Sequence, residues 1–152
     1  MFVGVLAHAD DWKGESKPED FSAGLLTGLG IIDGTSGYAL IGTFSRKIIP
    51  HGFIPDIANS VSIEGVVGPV FIPGLTAWLY GAHLRWDFVK DINWTFYGLG
   101  GLGGNITSPA TGSRFELTPR FGVGTFFQIT EVIRGRAEVT HDGVTLGVNF
   151  LF

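Results

Sequence analysis

The chain has 152 residues, enough for one domain that encloses a core or a lumen and too few for two ordinary domains. Hydrophobic residues make up 45%, mean hydropathy is +0.31 and only 16% of residues are charged, which is lean for a surface wetted entirely by water. A net charge of −4 and a pI near 5.4, with no Lys/Arg cluster interleaved with aromatics, exclude nucleic acid as a partner, and the absence of cysteine excludes disulfide and thiol chemistry.

The composition points to strands. The 24 glycines and 13 phenylalanines suit short, closely packed β-strands, because glycine costs a helix roughly 1 kcal/mol per position. Residues 1–20 form an N-terminal segment. Within it Phe2–Ala9 ends in Ala7-His8-Ala9, the small-x-small pattern that signal peptidase cuts after, but no basic region precedes it. It reads either as the tail of a truncated signal peptide, to about residue 9, or as an ordered strand.

From Phe21 onward eight alternating or glycine-rich runs follow: Phe21–Ile32, Gly37–Ile48, Asn59–Val70, Leu75–Phe88, Ile92–Gly103, Arg114–Gln128, Glu131–Thr140 and Val144–Phe152. Turn signals separate them: Asp33–Gly37, Pro50–Pro55, Pro73-Gly74, Lys90-Asp91, Gly104–Ser113, Ile129-Thr130 and Asp142-Gly143. Most runs are long enough to cross a bilayer when tilted. The uncharged stretch Gly65–Leu84 has the length of a spanning helix, yet Pro69, Pro73 and Gly74 break it into two strands and a turn. Neither βαβ spacing nor a helical period appears, so the economical topology is an all-β, eight-stranded antiparallel up-and-down barrel over residues 21–152.

The period of two separates the faces. In the third run Val61, Ile63, Gly65 and Val67 oppose Ser60, Ser62 and Glu64. In the fourth, Trp78, Tyr80, Ala82, Leu84, Trp86 and Phe88 oppose His83, Arg85 and Asp87. The sixth sets Phe115, Leu117, Pro119, Phe121 and Val123 against Glu116, Thr118, Arg120 and Gly122, and the seventh sets Ile133, Ala137 and Val139 against Arg134, Arg136 and Glu138. A soluble barrel puts its charges outside. Here such an arrangement would bury bulky aromatics in the lumen, so the apolar face is expected to meet lipid and the charged face to fill the lumen. Glu64, His83, Arg85, Asp87, Glu116, Arg120, Arg134, Arg136 and Glu138 are then expected to join as a lumenal ion-pair network. A two-residue type I′ turn at Asp142-Gly143 would pair Val139 with Leu146, Ala137 with Val148, Gly135 with Phe150 and Arg136 with Asn149, aligning the apolar faces. Trp78, Tyr80, Trp86, Phe88, Trp94, Phe96 and Phe152 sort into aromatic belts at the two membrane interfaces.

The eight runs, the terminal Phe152 and the segment Phe115–Val139 resemble the small eight-stranded bacterial outer-membrane barrels, in particular OmpA-like β-barrel domains. That resemblance implies residence in the outer membrane among its lipids, and delivery by barrel-insertion machinery that reads the Phe152 strand. The connections that would face outward are short, notably Asp142-Gly143 and Asp33–Gly37, with only Gly104–Ser113 substantial, unlike those of barrels that act as adhesins, so a structural or envelope-anchoring role is expected, with a narrow pore as the alternative. A lipid A-modifying enzyme would need a His, a Ser and an acid near the outer leaflet. His141 has no Ser two residues on, Thr140 and Thr145 are poor substitutes, and His83 with Asp87 falls deep in the lumen. No catalytic residue and no cofactor are therefore assigned. His8, His51, His83 and His141 are scattered, without metal-ligand spacing. Gly98–Gly104 lacks the following helix that a phosphate loop requires. Oligomeric state is not encoded in any motif.

Overall fold

In the computed structural model, which describes residues 18–107 and 114–152, eight strands follow one another round a closed antiparallel barrel. They are β1 (Phe21–Ile32), β2 (Thr35–Ile49), β3 (Asn59–Ile72), β4 (Leu75–Val89), β5 (Trp94–Thr107), β6 (Arg114–Gln128), β7 (Ile133–Thr140) and β8 (Gly143–Leu151). β8 pairs with β1 from Ser22↔Leu151 to Gly30↔Gly143, which closes the barrel. The Ala7-His8-Ala9 pattern and most of the Gly104–Ser113 connection lie outside the described residues.

The turns explain where the strands begin. Asp33 and Gly34 both have positive φ (50° and 75°), the signature of a two-residue type I′ hairpin, so β2 starts at Thr35 and the connection is shorter than the sequence suggests. The Asp91 carboxylate accepts from the amides of Asn93 (2.7 Å) and Trp94 (2.9 Å), which holds Ile92 in the turn and delays β5 to Trp94. Thr130 does the same for Ile133, accepting its amide at 3.1 Å.

The last hairpin corrects the sequence reading. Its turn residues are His141 and Asp142, neither with positive φ, and Thr140 pairs with Gly143. Val139 therefore faces Val144, Ala137 faces Leu146 and Arg136 faces Gly147, a register two residues from the expected one. Gly143 belongs to the wall instead of the turn because it abuts Gly30 of β1, where a Cβ would lie 2.1 Å from the Leu29 carbonyl oxygen. A shift of two preserves parity, so the apolar faces still coincide.

The end of the barrel where β1 begins and β8 finishes, the terminal end, also carries the longer described connections. Segment 50–58 folds back over the outside of β3 and β4: Asn59 donates to the carbonyls of Ile54 (2.8 Å) and Ile57 (2.6 Å) and accepts from the Trp86 indole (2.9 Å). Phe53 then meets Trp86 edge to face at 5.8 Å. β2 is bulged between Lys47 and Ile49, which brings Ile49 opposite Val61. Val61, expected on the lipid face, is consequently buried between Ile49 and Trp86.

Candidate functional site

The lumen holds the charged side chains in a continuous line. Register places His83 opposite Glu64, and the lumen brings Arg136 of β7 across to the same carboxylate. Arg136 grips Glu64 with two bonds, Nη1 to Oε2 at 3.0 Å and Nη2 to Oε1 at 2.6 Å. This is the forked geometry that suits guanidinium to carboxylate. His83 Nε2 is 3.0 Å from Glu64 Oε1, and Arg85 also bonds Glu64. Arg85 further donates to Asp87 from Nε (2.8 Å) and Nη2 (3.1 Å). At the other side Arg136 bonds Glu138, Glu138 accepts from Arg120 at 3.1 Å, and Arg120 reaches Asp142.

The order is Asp87, Arg85, Glu64, Arg136, Glu138, Arg120, Asp142, with acid and base alternating along the barrel. Three arginines meet four carboxylates, and Arg134 stands nearby as a fourth cation. Glu64 and Arg136 are fully enclosed, so each charge depends on its partners in place of water. Among the described residues Arg134 forms no ion pair. Its guanidinium lies 4.1 Å from the Phe126 ring centroid, and Arg85 (4.8 Å) and Arg136 (5.3 Å) share that ring. Glu116 is half-buried outside the line and, among the described residues, forms no ion pair. It borders a vestibule of about 220 Å³ at the far end with His141 and Asp142.

Three members escaped the sequence reading. Tyr97 accepts from Arg136 Nε at 2.8 Å and donates to Glu138 at 2.8 Å, linking base and acid. Its hydroxyl fills the place of a missing side chain at Gly124, where a Cβ would lie 2.2 Å away. Gly124 on β6 thus makes room for a tyrosine. Phe126 is the aromatic floor, and Asp142 leaves its turn to end the chain. A signal was present for two of them: Phe96-Tyr97 and Phe126-Phe127 are adjacent aromatics, and alternation forces one of each pair inward.

The lumen is not charged throughout. Toward the far end Leu26, Ile41, Val66, Val70 and Leu79 pack together inside the wall. The expectation that apolar groups all lie outside fails here because β1, β2 and β3 are apolar on both faces along this stretch.

Outside, Leu25, Leu84, Leu102, Phe121, Val123 and Leu146 are each more than half exposed. Trp94 stacks with Phe96 at 6.3 Å and tilts against Phe127 at 5.0 Å; Trp86 and Phe88 are 5.0 Å apart; Phe152 meets Phe21 and Phe44, both at 6.4 Å. All of these ring the terminal end. At the far end lie Trp78, Tyr38 against Phe71 (6.3 Å), and Tyr80, whose hydroxyl donates to the Glu116 carbonyl at 2.9 Å. Both histidines considered for catalysis are engaged: His83 is 3% exposed against Glu64, and His141 stacks on Phe121 at 5.1 Å.

Charge inside and apolar groups outside is the reverse of a water-soluble barrel. A de novo designed transmembrane β-barrel superimposes with a TM-score of 0.65 at 13% identity, covering 91% of this chain and 99% of that one. The fold is that of the eight-stranded transmembrane β-barrels. Ail, the attachment invasion locus protein of Yersinia pestis, matches with a TM-score of 0.58 at 16% identity, covering 88% of this chain and 97% of Ail. The Ail complex with the heparin analogue sucrose octasulfate matches similarly, with a TM-score of 0.57 at 15% identity over 88% and 97% of the two chains. No protein-family model matches the barrel, and no curated protein matches it in sequence. The likeness is to small outer-membrane barrels in general, and the OmpA-like subgroup receives no separate support.

Proposed function

We propose that the chain is an integral bacterial outer-membrane barrel whose closed lumen makes it a structural or anchoring element of the envelope. The observation that carries this is the double obstruction of the lumen. The Glu64–Arg136 bridge spans it, and the apolar cluster of Leu26, Ile41, Val66, Val70 and Leu79 packs inside it toward the far end. An eight-stranded wall encloses only enough space for such side chains.

In this reading the terminal end faces the periplasm, the aromatic rings around Trp94 and Phe152 lie at the lipid interface, and the insertion machinery reads the β8 strand ending in Phe152. Among the described residues, the far end offers little to a soluble partner. Its described turns are Asp33-Gly34, Pro73-Gly74 and His141-Asp142, without a Lys or Arg to match a sulfated sugar such as the sucrose octasulfate in complex with Ail.

Planar-bilayer recording tests the reading. The expected result is a flat trace at the lipid background. Reproducible unitary conductance would overturn the closed lumen and favour the narrow pore, and its change in Arg136→Ala would then place the ion path at the network. Fractionation of the producing cells tests location: recovery in the inner membrane or the soluble fraction would refute it.

A further inference from the structure

On the outer wall a groove adjoins an outward-facing charge. Gly42 of β2 and Gly65 of β3 open a shallow groove of about 510 Å³, walled by Phe44, Ile63 and Val67, with Arg46 at its terminal end. Neither glycine is required by packing. A Cβ at Gly42 would meet nothing nearer than the Val67 carbonyl oxygen at 3.6 Å, and at Gly65 nothing nearer than 4.0 Å; neither backbone has positive φ. Inward glycines differ, since at Gly24, Gly68 and Gly124 a Cβ would collide within 2.2 Å of another atom. Glycine weakens a strand and packs nothing, so two such positions diagonal to each other on the lipid face leave a depression at a cost in strand propensity.

Arg46 is the only charged side chain on the outward face of the eight strands among the described residues. Its guanidinium lies 5.5 Å from the Phe21 ring centroid, within the aromatic ring formed by Phe21, Phe44 and Phe152, and among the described residues no carboxylate pairs with it. From Arg46 to Gly42 the wall runs four residues, roughly 13 Å at 3.3 Å per residue, down from the interface into the apolar band. An unpaired cation at the interface with an apolar trough running away from it complements a molecule with an anionic head and a hydrocarbon tail.

We propose that this groove binds one anionic glycerophospholipid, its phosphate against Arg46 and an acyl chain over Gly42 and Gly65. The proposal rests on the membrane-barrel reading. The barrel, refolded in detergent, is offered dioleoyl phosphatidylglycerol and dioleoyl phosphatidylcholine at equal concentration, and the retained lipid is counted by native mass spectrometry. The expected result is one retained phosphatidylglycerol, preferred about fivefold, the effect of a single arginine at a membrane surface. Arg46→Gln should abolish the preference, and Gly65→Leu or Gly42→Leu should lower retention of both lipids. Gly100→Leu, at an outward glycine with no atom within 4 Å and no cation beside it, should change nothing.

A heat-dependent gel shift establishes that each variant is folded. Equal retention of the two lipids by a folded wild-type barrel overturns the site and leaves the barrel reading intact, as does an Arg46→Gln variant that keeps the preference. A wild-type chain that stays soluble without detergent and shows no gel shift overturns the membrane reading itself.

Discussion

Replacing Glu64 by glutamine asks whether the network is dry. Glu64 is 0% exposed, and its oxygens receive two bonds from Arg136 and one from Arg85 and face His83 at 3.0 Å. Glutamine keeps the volume and one acceptor, but aims an amide donor at guanidinium donors and removes the charge that two arginines share. Summing four charge-assisted contacts at ~1.5–3 kcal/mol each gives ~6–12 kcal/mol, which overstates the loss because the arginines are not orphaned. Arg85 keeps Asp87 and Arg136 keeps Glu138. The expected destabilisation is therefore about 3 kcal/mol, at the lower end of the cost of breaking a buried ion pair. Urea unfolding of the barrel in phospholipid vesicles, followed by tryptophan fluorescence, measures it as a shift in midpoint at constant slope. A loss below ~0.5 kcal/mol would refute the reasoning, since it would mean that water already solvates Glu64. Raising salt to 1 M should leave the wild-type midpoint nearly unchanged on this account, because enclosed pairs are poorly screened.

Three further outcomes follow from the geometry. Gly124→Ala should cost ~2 kcal/mol or more in the same unfolding assay, because the new Cβ would lie 2.2 Å from the Tyr97 hydroxyl and 2.6 Å from the Ala137 carbonyl oxygen, whereas Gly98→Ala, with no atom within 4 Å, should stay within ~0.5 kcal/mol of wild type. Paired cysteines at Ala137 and Leu146 should oxidise readily to a disulfide, while a pair at Ala137 and Val148 should not, since the register makes the first directly opposed and the second diagonal; the reverse result on a non-reducing gel would restore the Asp142-Gly143 turn. Asn59→Ala removes the bonds that hold segment 50–58 against the wall, so proteolysis within that segment should accelerate while the gel shift of the barrel persists.

Much of the architecture was legible because alternation survives without knowledge of neighbours. A strand's faces depend on parity alone, so Glu64, Arg85, Arg120, Arg136 and Glu138 were placed inward, and Leu84, Phe121 and Phe150 outward, from single runs. Turn chemistry was harder. Asp33-Gly34 and Asp142-Gly143 are the same dipeptide, but only the first forms the two-residue positive-φ turn. The second is overruled by contact with Gly30 on β1, a strand more than a hundred residues away in sequence. The bulge at Lys47–Ile49 and the folding of segment 50–58 onto Trp86 likewise depend on contacts that no local pattern carries.

By itself, then, the amino-acid sequence determined eight strands, their antiparallel order, and which side chains share a face, because each follows from a period of two and from glycine and proline punctuation. Only the tertiary structure decided who meets whom inside. The Arg136–Glu64 bridge joins residues 72 apart across the lumen, Tyr97 enters the space left by Gly124, and the apolar cluster around Val70 gathers residues of four strands inside the wall. Those pairings depend on the stagger at which the sheet closes, and a shift of two residues changes every partner without disturbing the alternation that the sequence displays.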